Sequence, residues 1–305
     1  MQRISLGKSD LSSSRLVYGC MRIAGDNSLD HRERGKRALR AALEAGYTQF
    51  DHADIYGRGA CETLFGEVLR ESPGLRENLI LTGKCGIRES DQPEAGDPKR
   101  YDFSYQHIVD SVEASLARLG TEYLDLLLLH RPDYLFGAAE VATAFETLYE
   151  NGRVRHFGVS NFRTSQVKLL QSQLSRPLLV NQVEINLHNI GALTDGTLDQ
   201  CQRRKITPQA WCPLGAVAYP AWGNTFNAED ERRIALELRR QSECYEAKAW
   251  QVALAWLLRH PAGIQPIIGS TTPSRIRAAT HALSLNYRRE DWYRLLEARN
   301  GQPVA

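Results

Sequence analysis

Eight short apolar runs alternate with eight longer segments of helical period, which predicts an α/β chain folded as a (β/α)8 TIM barrel. Two further observations favour this over a pair of doubly wound domains. The strand candidates are near-continuous apolar runs, as strands covered by helices are. No Pro/Gly/Ser-rich linker divides the 305 residues, so a single barrel domain over 1–305 is expected. An open Rossmann sheet is the rival arrangement, but no GxGxxG follows the first strand, where Gly19-Cys20-Met21 stands instead.

Strands are expected at 16–18, 48–51, 79–82, 124–130, 156–159, 178–183, 206–211 and 265–268. Helices are expected at 31–45, 61–71, 104–119, 139–151, 164–174, 193–205, 229–259 with an interruption, and 273–282. In the third helix Ile108, Val112, Leu116 and Leu119 recur on one face. Gly46 and Gly120 follow the first and third helices, where a left-handed C-terminal residue is expected.

Composition narrows the function. Lys plus Arg total 38 against 36 for Asp plus Glu, a net charge of +2, which gives no electrostatic case for nucleic-acid or anionic-membrane partners. Hydrophobic residues at 42% and charged residues at 24% exclude disordered and fibrous classes. No apolar run approaches the ~20 residues of a membrane helix. The N-terminal MQRISLGKSD has no signal-peptide core, so a cytoplasmic protein is expected. Six scattered cysteines show neither CxxC nor ligand-like spacing, which favours a reduced compartment over a disulfide framework or a metal site.

In a parallel barrel the active site lies at the C-terminal ends of the strands, so the residues that end each run matter most. These are Asp51, Lys84, His130, Ser160-Asn161, Asn181-Gln182, Trp211 and Gly269-Ser270, with Tyr56 just past the second strand. Each has an ordinary reading by itself: a turn cap, a solvated lysine, a loop histidine. An Asp, a Tyr, a Lys and a His at one mouth form a proton-transfer set.

FDHADIYG at 50–57, LTGKCG at 81–86, LDLLLLHRPD at 124–133, RHFGVSNF at 155–162, NQVEIN at 181–186, AWCPLG at 210–215 and PIIGSTTPSR at 266–275 resemble the successive motifs of the aldo-keto reductase superfamily. The likeness spans essentially the whole chain in order. It implies an NADPH-dependent reductase of aldehyde or ketone carbonyls, with the tetrad Asp51, Tyr56, Lys84 and His130. A hydride arriving at a carbonyl carbon leaves charge on oxygen, and Tyr56 would protonate it. A phenol with a pKa near ~10 is a poor acid at neutral pH. Lys84 would pull that pKa down, Asp51 would hold Lys84, and His130 would orient the carbonyl.

The resemblance also implies cofactor contacts. Ser160, Asn161 and Gln182 match the positions that hold the nicotinamide carboxamide, and Trp211 stands where an aromatic, usually Tyr, stacks on the ring. Gly269, Ser270 and Thr271 would meet the adenosine phosphate ahead of a helix opening at Pro273, and Arg275 would pair with the 2′-phosphate. Gly19, Cys20, Met21, Cys212 and Leu214 fall on neighbouring cofactor positions.

Departures are Gly269 in place of a common Lys, Ala278-Ala279 where Glu or Asn contacts adenine, and His52 after the tetrad aspartate. His52 reads as a core histidine first and a tuner of the site second. A chain ending soon after Asn300 implies a more open site, which Tyr219, Trp222 and Phe226 could line or cover. Two alternatives stand beside the small-molecule carbonyl reductase. One is a Schiff-base aldolase using Lys84. The other is a regulatory or binding barrel with vestigial turnover.

Overall fold

A computed structural model describes residues 1–215 and 228–305. Tyr219, Trp222 and Phe226 lie outside the described residues. The elements, in order, are β1 (Arg3–Ser5), β2 (Ser12–Ser14), β3 (Val17–Gly19), α1 (Leu29–Glu44), β4 (Gln49–Asp51), α2 (Ala60–Glu71), β5 (Ile80–Cys85), β6 (Ile87–Arg88), β7 (Arg100–Tyr101) and α3 (Tyr105–Leu119). There follow β8 (Leu124–Leu129), α4 (Ala138–Glu150), β9 (Val154–Ser160), α5 (Thr164–Gln171), β10 (Leu178–Glu184), α6 (Thr197–Arg204) and β11 (Thr207–Trp211). The last are α7 (Ala228–Cys244), α8 (Ala249–Leu258), β12 (Gln265–Ile268), α9 (Pro273–Ala278) and α10 (Arg289–Asn300). Strands β3, β4, β5, β8, β9, β10, β11 and β12 pair in that cyclic order into a closed parallel barrel. That is the (β/α)8 TIM barrel the alternation predicts.

All eight expected strands form, most within a residue or two of the expected bounds. The long helical pattern at 229–259 is broken between Cys244 and Ala249, where Glu246 takes a positive φ of 49°. Three elements had no counterpart in the periodicity: the antiparallel β1–β2 and β6–β7 hairpins and α10. The hairpin strands have only two or three residues each, too short for a period-2 pattern to show. Helix α10 is held by a polar centre: the fully buried Asp291 accepts from Arg240 and Arg294, each through Oδ1, and from Tyr245 through Oδ2.

The barrel strands are buried on both faces because helices cover the outside and side chains fill the inside. Alternation along each strand sends every second residue inward, which places Gln49 and Asp51 of β4, Thr82 and Lys84 of β5, and Gln209 and Trp211 of β11 on the axis side. The lower part of the axis carries a polar network rather than branched aliphatic residues. Gln49 Nε2 donates to Thr82 Oγ1 at 2.9 Å, and Gln209 Nε2 donates to Gln265 Oε1 at 2.8 Å. Ser13 Oγ, from the N-terminal hairpin, donates to Gln49 Oε1 at 2.8 Å. No helix among the described residues is long and apolar enough to cross a membrane.

Helix α1 approaches the loop after β3 closely because residue 35 is glycine. A Cβ there would stand 2.1 Å from the Ile23 carbonyl oxygen and 2.7 Å from Leu64 Cδ2. Replacing glycine by alanine inside a helix ordinarily stabilises by about 1 kcal/mol. At this position overpacking against a backbone oxygen outweighs that gain. Gly35→Ala is expected to destabilise by about 1–3 kcal/mol in denaturant unfolding; a stabilised variant would show that α1 can retreat from the loop freely.

Candidate active site

Four residues that the sequence sets in different strands and loops meet at the C-terminal mouth. Lys84 is 1% exposed. Its Nζ donates to Asp51 Oδ2 at 2.7 Å and to the His52 carbonyl at 2.7 Å, and it lies beside the Tyr56 ring. Burial pushes the lysine pKa down, but the Asp51 carboxylate and Tyr56 together outweigh it and hold the pKa above the ordinary value. The ammonium therefore stays charged inside the barrel.

Tyr56 lies with its ring centroid 4.9 Å from Lys84 Nζ and 5.8 Å from the His130 ring, the two rings at 81°. Its pKa departs from the sequence expectation. Burial raises it and Lys84 lowers it, and the outcome is a phenol pushed up to about 12. Lys84 pulls in the expected direction and is outweighed. At neutral pH the hydroxyl keeps its proton.

His130 is held well below the ordinary histidine pKa, first by burial and then by the positive charges of Lys84, Arg131 and Lys99. A neutral imidazole follows, whose buried Nδ1 has no described partner. His52, in contrast, is a core residue, fully buried and packed edge-on to Phe65 at 4.7 Å, with neither ring nitrogen bonded. Only its backbone carbonyl serves the site.

Asp51, Tyr56 and His130 open onto a cavity of about 1120 Å³, large among ligand cavities. Of the expected cofactor positions, Gly19, Met21, Ser160, Asn161, Gln182, Trp211, Cys212, Leu214, Gly269, Ser270 and Arg275 line it. Cys20 and Thr271 do not. The Cys20 side chain turns into the core and its N–H donates to the Asp51 carbonyl. Helix α9 is one short segment, Pro273–Ala278, so any phosphate reading rests on Ser270 and the exposed Arg275 side chain. A Cβ on Gly269 would meet nothing within 4 Å, so the backbone there opens freely onto the cavity.

The polar groups at the rim are already ordered among themselves. Asn161, at a left-handed φ of 61°, donates to Ser160 Oγ at 2.9 Å and to the His130 carbonyl at 3.2 Å, and accepts from Trp211 Nε1 at 3.0 Å. Ser160 Oγ donates to the Gln182 carbonyl at 2.8 Å. Gln182 Nε2 donates to Asp51 Oδ1 at 2.9 Å, a contact that strand-end reading did not anticipate. Also missed were Arg22, Lys99, Tyr101 and Arg131 on the cavity wall. Lys99 and Tyr101 arrive on the short β6–β7 hairpin and Arg22 on the loop after β3, segments whose sequence shows only polarity.

The donor set suits a dinucleotide: amides at the centre, an indole beside them, and a guanidinium at the far edge. The class this barrel and its mouth define is the parallel-barrel proteins whose polar side chains converge on a cavity at the strand ends. The sequence profile of the Aldo/keto reductase family matches residues 15–300, and the chain belongs to that family as an oxidoreductase. It is 43% identical to the oxidoreductase YcsN of Bacillus subtilis and 40% identical to a 6-dehydroglucose reductase of Agrobacterium fabrum, each over 100% of both chains. The crystal structure of a thermostable aldo-keto reductase, Tm1743, matches it with a TM-score of 0.82 at 25% identity, covering 98% of this chain and 100% of that one.

Burial of His52, with its pKa lowered to about 3 by desolvation and by Lys84, makes stability depend on pH. Between the unfolded value of roughly 6.5 and about 3 only the unfolded chain binds that proton, so stability falls as pH falls through this window. Asp54, raised to about 7, slopes the other way and is common to wild type and variant. In urea unfolding from pH 7 to 4, His52→Leu is expected to lose less stability than wild type. Equal losses would show that His52 is not the buried neutral group described.

Proposed function

We propose that the protein is an NADPH-dependent carbonyl reductase, with Tyr56 as proton donor and His130 as the group that orients the carbonyl oxygen. The observation that carries this is the buried Lys84 ammonium, pinned by Asp51 and 4.9 Å from the ring of a protonated Tyr56 that lines the large cavity. When bound, the reduced nicotinamide supplies the hydride. The protein's part is to hold a proton at the Tyr56 hydroxyl and to present a neutral imidazole to the carbonyl oxygen. With a pKa pushed up to about 12 the donor is fully protonated at working pH but a weaker acid, so proton transfer depends on Lys84 stabilising the phenolate as it forms. Charge developing on the carbonyl oxygen then meets a phenol backed by a cation, which favours transfer.

Ser160, Asn161 and Gln182 are the groups we assign to the carboxamide, Trp211 to the ring face, and Arg275 with Ser270 to the phosphates. A Schiff base at Lys84 requires a neutral amine, whereas this ammonium is held charged by Asp51 and Tyr56. The complete tetrad supports turnover rather than a vestigial barrel. For substrate we favour an aldehyde on a small polar skeleton. The polar wall of Arg22, Lys99, Tyr101 and Arg131 supports this, as does the name of the Agrobacterium relative.

Tyr56→Phe is expected to cut turnover of sugar aldehydes and simple aldehydes by roughly 10²–10⁴-fold while NADPH affinity stays within about twofold. Retained wild-type kcat on the best carbonyl would remove Tyr56 from the donor role.

Arg275→Ala tests the cofactor choice. A charged hydrogen bond contributes about 1.5–3 kcal/mol, so the variant should weaken NADPH by about tenfold or more and leave NADH nearly unchanged. Tryptophan-fluorescence titration with both cofactors reads this. Equal weakening of the two would make Arg275 structural.

A further inference from the structure

Gln182 is connected to the base of the barrel by a chain of side-chain amides. Its Nε2 donates to Asp51 Oδ1 at 2.9 Å and to Gln209 Oε1 at 3.3 Å. Gln209 Nε2 in turn donates to Gln265 Oε1 at 2.8 Å. Gln265 Nε2 ends the chain on the Ser14 carbonyl at 2.7 Å and Ser13 Oγ at 2.9 Å. Gln209, Gln265 and Ser13 are all fully buried.

The polarity of this chain is fixed. The Ser14 carbonyl only accepts, so Gln265 must present its amino group to it and its Oε1 to Gln209. Gln209 then turns its own Oε1 toward Gln182. The Asp51 carboxylate also only accepts, so both N–H groups of Gln182 have assigned acceptors. Asp51 alone would leave the amide free to rotate about a single hydrogen bond. A second acceptor fixes its plane and directs Oε1, which accepts from no described side chain, into the cavity that Gln182 lines.

We propose that Gln209 is a positioning residue for cofactor recognition, aiming Gln182 Oε1 at the amino group of the nicotinamide carboxamide. This rests on the nicotinamide reading above. A purely packing role at this depth is ordinarily met by branched aliphatic residues, at no risk of an unpaired polar group.

The test compares dissociation constants of NADPH and its 3-acetylpyridine analogue, in which a methyl group replaces the carboxamide amino group. Tryptophan-fluorescence quenching reads both constants. Wild type is expected to prefer NADPH roughly tenfold, the worth of one well-aimed hydrogen bond. Gln209→Met, of similar length without a strong acceptor, should bring the preference to roughly threefold or less. Gln209→Glu in its protonated form keeps a carbonyl toward Gln182 and an O–H toward Gln265 Oε1, and should restore it.

A general loss of stability would weaken both ligands alike and leave the ratio unmoved. If Gln209→Met does not fold, Gln265→Met, one link lower, should narrow the ratio in the same direction. An unchanged ratio in whichever of the two folds, beside a discriminating wild type, overturns the positioning role alone. A wild type that binds neither nicotinamide compound overturns the underlying cofactor reading instead.

Discussion

The arrangement at the mouth depends on a charge that would be costly anywhere inside a protein. An isolated ammonium moved into a low-dielectric interior loses several kcal/mol of solvation even after relaxation. Lys84 is retained there because its ammonium meets the Asp51 carboxylate and the His52 carbonyl, each at 2.7 Å. Asp51 is compensated in turn by Gln182. Removing any one partner leaves a buried charge exposed to the next. The site is therefore a linked set, in which burial outweighs the cation at Tyr56 and the phenol keeps its proton.

Burial and charge compete at three residues within a few ångströms, with different winners. At Lys84 the opposite charge wins and the group stays ionised. At Tyr56 burial wins over the cation and the phenol stays neutral. At His130 burial and like charge act together and the imidazole stays neutral. One local field thus yields a fixed cation, a protonated acid and an uncharged polar ring. In the proposed reduction, that combination would stabilise charge developing on a carbonyl oxygen without a second cation at the surface of contact.

Much of this was legible in the sequence. Barrel strands are long enough, and apolar enough, for their ends to be found, and in a parallel barrel those ends face one mouth. Asp51, Lys84, His130 and Ser160 were visible for that reason. The Gln182–Asp51 bond was not, because two residues separated by 131 positions meet only when the barrel closes. Gln49, Gln209 and Gln265 sit inside apolar runs and read as interruptions of them. Their pairing with one another becomes visible only across strands. Lys99 and Tyr101 come from a polar stretch whose two-residue strands carry no period. The sign of the Tyr56 shift depended on how much protein surrounds its hydroxyl, a quantity that spacing does not contain.

The amide chain below Asp51 also bears on where protons come from. A relay needs groups that accept on one side and release on the other, as hydroxyls, imidazoles and water do. Side-chain amides with assigned oxygens and amino groups do neither, and this chain ends on the backbone carbonyl of Ser14. The amide links from Gln265 through Gln209 to Gln182 therefore pass no proton up to Asp51. In the proposed reduction, a proton given up by Tyr56 would be replaced from the cavity side, where its hydroxyl meets the open mouth.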